Sequence, residues 1–170
     1  PGTTMPRYPG ADHIPRVRSP KGRALSQWLH GRSLSDFSLR HWGPSADAFR
    51  VARLPIADYL QHKKIAPNID NTVTRFLAFP NPSLERTEFI DEKYDDELLA
   101  AAITRIDMFD HVDVIENPNF MTDLGVWLGH ELPQTRANER TSVPARGRPD
   151  LIAELKGAGE LLDYRSRIDT

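Results

Sequence analysis

No cysteine occurs anywhere in the sequence. Disulfide staples and thiolate chemistry are therefore excluded, and a reducing, cytoplasmic compartment is the expectation. No apolar run approaches the roughly 20 residues that a membrane span needs. The opening residues also lack the basic-then-apolar pattern of a signal peptide. Charge of one sign is missing too, with 22 Lys and Arg against 24 Asp and Glu and a formal net charge of −2. A chain so balanced has no global field for nucleic acid, so any anion site must be local. The six histidines are scattered, without the spacing of metal ligands. Proline is what the sequence has in quantity: 14 residues, beside ten glycines, cut it into short elements. At 170 residues and 39% hydrophobic content, one globular domain with its own core is expected.

Residues 1–15 are rich in proline and show no periodicity, so they read as an irregular arm. Ser19 followed by Pro20 is a helix-start signature, a capping hydroxyl ahead of proline at the first helical position. Leu25, Trp28 and Leu29 then fall on one face, and Gly31 is the expected stop. A second helix is expected at residues 54–60, opened by Pro55, with Ile56, Tyr59 and Leu60 sharing a face. Residues 94–109 carry the strongest helical pattern. Asp95, Asp96 and Glu97 load its first turn, and Leu98, Leu99, Ala102, Ile103 and Ile106 form its stripe. Residues 111–116 are short and β-branched, the best strand candidate. A further helix should follow Asn117-Pro118, with Phe120, Met121, Leu124, Trp127 and Leu128 inward and Gly129 at its end. A basic, irregular stretch at residues 135–147 precedes a last helix opened by Pro149.

The segment with the most chemical content is 16–26. Arg16, Arg18, Lys21 and Arg23 crowd the start of the first helix, and its first turn has no Asp or Glu. Free backbone N–H groups and the positive dipole end already favour an anion at such a place. An arginine just ahead of the cap can fork onto two phosphate oxygens, and Ser26, two turns in, adds a hydroxyl. The same residues also fit an ordinary capped helix with a solvated basic start.

Arg18-Ser19-Pro20-Lys21-Gly22-Arg23-Ala24-Leu25-Ser26 resembles the 3′-phosphate motif of sulfotransferases that use 3′-phosphoadenosine 5′-phosphosulfate. The usual form is Arg-Asp-Pro, two residues, Arg, two residues, Ser. Here Ser19 stands in place of the Asp, a change that keeps the capping group. Asn71-Thr72-Val73-Thr74-Arg75-Phe76-Leu77 resembles the Asn…Thr-Arg-Phe-Leu signature of bacterial and Golgi-type members. Residues 98–116 resemble the family's helix followed by a strand ending in Glu, here Glu116. Arg136-Ala137-Asn138 resembles a loop near the nucleotide, and Leu161-Leu162-Asp163-Tyr164 its closing helix.

The resemblance implies an α/β fold, a P-loop-kinase-like three-layer sandwich around a parallel sheet. This chain would be mostly its α-helical C-terminal part with one or two strands. It implies 3′-phosphoadenosine 5′-phosphosulfate as cosubstrate, with no metal, and a hydroxyl-bearing acceptor that is a carbohydrate, lipid or small molecule. Arg18, Ser26 and Arg136 would bind the nucleotide. The family's 5′-phosphosulfate loop and catalytic base lie tens of residues ahead of its Arg-x-Pro motif. Only 17 residues precede Arg18 here. Pro1-Gly2-Thr3-Thr4 has no lysine before it and His13 stands too close to Arg18, so no catalytic residue is assigned. The competing expectation is a non-catalytic helical domain that binds a protein partner or an anion.

Overall fold

The structure, a computed structural model, describes residues 16–43, 45–85, 87–114, 116–133 and 149–170. The chain begins there with β1 (Arg16–Val17), α1 (Pro20–Ser33), α2 (Asp36–Leu39), α3 (Ser45–Val51) and α4 (Ile56–Gln61). A 3-10 turn at Lys63–Ile65 leads into α5 (Ala66–Ile69) and α6 (Thr72–Ala78), and another at Glu92–Tyr94 into α7 (Asp95–Ile106). β2 (Asp113–Val114), α8 (Phe120–Leu128), α9 (Pro149–Gly157) and α10 (Gly159–Tyr164) follow. β1 and β2 pair in parallel, Arg16 opposite Asp113 and Val17 opposite Val114. Strand character among the described residues is confined to this pair, and the remainder of the regular structure is helical. No described helix is long and apolar enough to cross a membrane. The arm at 1–15 and the basic stretch at 135–147 lie outside the described residues.

The core forms where amphipathic faces converge. α1 buries Ala24, Trp28 and Gly31, with Leu25 and Leu29 partly covered beside them. Trp28 is fully buried, and its indole N–H donates to the Leu54 carbonyl at 3.1 Å, so the large ring enters the core without an orphaned donor. Ile56, Tyr59 and Leu60 of α4, Ile65, Ile69, and Leu151 and Leu162 from the last helices complete the cluster. A smaller cluster joins Ala78, Ile90, Leu98 and Ile168.

Several expectations change on contact with the structure. Gly31 does not stop α1, which continues to Ser33. A Cβ at Gly31 would lie 2.4 Å from the Ala52 Cβ and 3.0 Å from the Phe49 carbonyl oxygen, so glycine is what lets α1 and α3 approach. Only Leu98 and Ala102 of the α7 stripe are buried, on a narrow seam, while Leu99, Ile103 and Ile106 are exposed among the described residues. Leu128 of α8 is likewise exposed, whereas Phe120 is buried and Gly129 takes the left-handed C-cap conformation (φ 76°) that ends the helix. The last helix is two helices, broken at Ala158.

Candidate functional site

The site is built where β1 delivers the chain to α1. Ser19 has a non-helical backbone (φ −51°, ψ 128°), and its hydroxyl accepts from the Gly22 N–H at 3.1 Å. Its carbonyl accepts the first helical bond, from the Arg23 N–H at 2.8 Å. Pro20 has no N–H to satisfy, which suits the first helical position. Because β1 and β2 run parallel, their carboxyl ends lie side by side. The chain leaving β2 brings Glu116 to the start of α1, where its Oε2 accepts from the Ser19 N–H at 3.0 Å. The other oxygen, Oε1, lies 3.5 Å from Arg18 Nε.

Arg18 and Glu116 are half exposed, their side chains retaining 44% and 42% of their accessible surface. Solvent therefore reaches the pair, which is worth little to stability as an ion pair alone. The ion pair of Arg18 runs through Nε. The Lys21 ammonium pairs with Asp163 of α10. A Cβ on Gly22 would stand 3.8 Å from Arg18 Nε, so the guanidinium lies over the first turn of α1. Ser26 follows Gly22 by four residues, which places it on the same helix face about 6 Å further along the axis. Arg18 and Ser26 thus flank one stretch of the helix surface. What this arrangement can do chemically is hold an anion with a guanidinium fork. Arg136 and His13 lie outside the described residues.

A second polar constellation was not legible in the sequence, and it is architectural. Asp70 is fully buried at the junction of α5 and α6. Its Oδ2 accepts from the Ile90 N–H at 2.7 Å and from Arg75 NH2 at 3.0 Å, and Arg165 and Arg167 lie 3.7 and 3.8 Å from Oδ1. Arg75 also donates to the carbonyls of Asp70, Glu85 and Glu88, so its guanidinium ties Glu85 and Glu88 to α6. Asn71 takes a left-handed backbone (φ 44°), which lets its N–H reach the Arg165 carbonyl at 2.7 Å and its Oδ1 the Ile168 N–H at 2.9 Å. Asp169 caps α6, accepting from the Val73 and Thr74 N–H groups and the Thr74 hydroxyl. Burial pushes its carboxyl above the ordinary value, and these three donors recover only part of the cost. Arg167 closes the network with a two-pronged pair to Asp95 at 2.7 and 2.8 Å. Asp70 is out of solvent and Arg75 is committed to four hydrogen bonds within the fold, so neither is a catalytic candidate. Among the described residues, no group of three or more His, Asp or Glu side chains could hold a metal ion.

Comparison with family models, curated proteins and solved structures finds no match to this chain.

Proposed function

We propose that this chain is the 3′-phosphate-binding part of a sulfotransferase that moves a sulfuryl group from 3′-phosphoadenosine 5′-phosphosulfate to an acceptor hydroxyl. The observation that carries the reading is Arg18, held at the carboxyl ends of two parallel strands over the first turn of α1, with Ser26 on the same helix face. Ligands of open α/β sheets sit at this end of the strands, and helix starts there favour phosphate. The parallel pairing of β1 and β2 supports membership of a larger three-layer sandwich, because parallel sheets occur with helices on both faces. In the reaction, the acceptor oxygen forms a bond to sulfur as the bond from sulfur to the 5′-phosphate oxygen breaks, and a base removes the hydroxyl proton. Arg18 and Ser26 position the nucleotide through its 3′-phosphate and take no part in that bond exchange.

Calorimetric titration with adenosine 3′,5′-bisphosphate and adenosine 5′-monophosphate tests the reading. One lost charge-assisted contact is worth about 1.5–3 kcal/mol, so the bisphosphate is expected to bind at least about tenfold more tightly. Equal affinities, or no binding of either, would overturn it.

A further inference from the structure

We infer that Glu116 is a positioning residue of this anion site: its carboxylate holds Arg18 by the Nε side and leaves the two terminal guanidinium nitrogens facing a phosphate. The inference rests on the anion-site reading above.

In a capping box, the third helical residue sends a side-chain carboxylate back to the N–H of the cap. Here the third residue is Gly22, which has no side chain to send. The first half of the box is present, Ser19 Oγ accepting from the Gly22 N–H. Glu116 supplies the second half, reaching the Ser19 N–H at 3.0 Å from 97 positions away. A Cβ on Gly22 would meet Ser19 Oγ at 3.0 Å, a tight approach, and stand in ordinary contact with Glu116 Oε1 at 3.5 Å.

With Oε2 anchored on the helix start, Oε1 has a fixed place, and that place is beside Arg18 Nε. Guanidinium is planar and can pair along one edge while presenting the other. A half-exposed arginine otherwise surrenders rotamer freedom when a ligand binds, and holding its stem beforehand reduces that cost. The negative charge of Glu116 opposes an incoming phosphate, but it lies on the Nε side, shares the positive end of α1 and is open to solvent screening. Positioning is expected to outweigh repulsion.

The test is calorimetry with adenosine 3′,5′-bisphosphate on the wild-type chain, Glu116→Ala, Arg18→Ala and the double variant, with thermal unfolding of each. Glu116→Ala is expected to weaken binding about two- to fivefold, the range set by an exposed pair. It should add no further weakening when Arg18 is already alanine. Its effect on unfolding should persist in both backgrounds, because the Ser19 cap is lost either way. Tighter binding by Glu116→Ala, or equal weakening in both backgrounds, would overturn the inference and leave the anion site standing. If the wild-type chain binds no bisphosphate, the anion-site reading itself falls. The Arg18 Nε–H resonance then decides the role of Glu116: a signal slowed in exchange in the wild type and lost in Glu116→Ala supports the hold, and an unchanged signal refutes it.

Discussion

Replacing Asp70 with alanine should be among the most damaging single changes in this chain. The carboxylate is fully buried, and Arg75, its closest charged partner at 3.0 Å, is nearly so. Removing one member of a buried pair leaves the other charge uncompensated and typically costs about 3–5 kcal/mol. The Ile90 N–H, which donates to Asp70 at 2.7 Å, also loses its acceptor. A buried unsatisfied donor costs roughly 1–3 kcal/mol, and the two terms overlap because they share one carboxylate. The expected loss is about 4 kcal/mol, a large share of the roughly 5–15 kcal/mol that holds a domain folded. For a chain of this size that is about 8–16 °C in Tm. Urea unfolding followed by circular dichroism should show the midpoint fall by about 2 M at an m-value near 2 kcal/mol/M. Asp70→Asn keeps an acceptor for Ile90 and should recover part of the loss. Lys63→Ala, which removes an exposed pair with Glu88, should leave the midpoint nearly unmoved. A loss below about 1 kcal/mol for Asp70→Ala would refute the view that this carboxylate ties Ile90 to the C-terminal segment.

Two further outcomes follow from single contacts. Gly31→Ala should destabilise by about 1–2 kcal/mol, because overpacking against Ala52 and Phe49 outweighs the roughly 1 kcal/mol of helix propensity that alanine adds; a gain in Tm would contradict the close approach of α1 and α3. Asp169 has a carboxyl raised above its ordinary 3.8 by burial, so the folded chain holds that proton more tightly than the unfolded one. Its contribution to stability is therefore greatest below that ordinary value and falls as pH rises through the raised one. The stability advantage of wild type over Asp169→Asn should shrink across this window, and an advantage that grows with pH would contradict the assignment.

Local chemistry was readable where it was local. Ser19-Pro20 marked the start of α1, Pro55 the start of α4, and Trp28, Ile56, Tyr59 and Leu60 were correctly placed in the core. Gly31 was misread because a glycine near a helix end has the same local signature whether it stops the helix or admits a neighbour. The neighbour, Ala52, lies 21 positions away in the sequence. The stripe of α7 looked uniformly apolar, but periodicity does not say how wide a face the fold covers. Glu116 could be read as the end of a strand, yet nothing near it in sequence pointed to Ser19 or Arg18. The buried network was hidden for the same reason. Asp70 and Arg75 are five residues apart across a left-handed asparagine, and Arg167 and Asp95 are separated by 72. Charges of both signs scattered along a chain look like solvated surface until the fold brings them together.

The affinity of Arg18→Ala for two nucleotides tests the role of this arginine most directly. If Arg18 forks the 3′-phosphate, the variant loses about 1.5–3 kcal/mol toward adenosine 3′,5′-bisphosphate, roughly a 10- to 150-fold drop in affinity. Its affinity for adenosine 5′-monophosphate, which has no 3′-phosphate, changes little. Equal losses for both nucleotides, or undiminished binding of the bisphosphate, would contradict it.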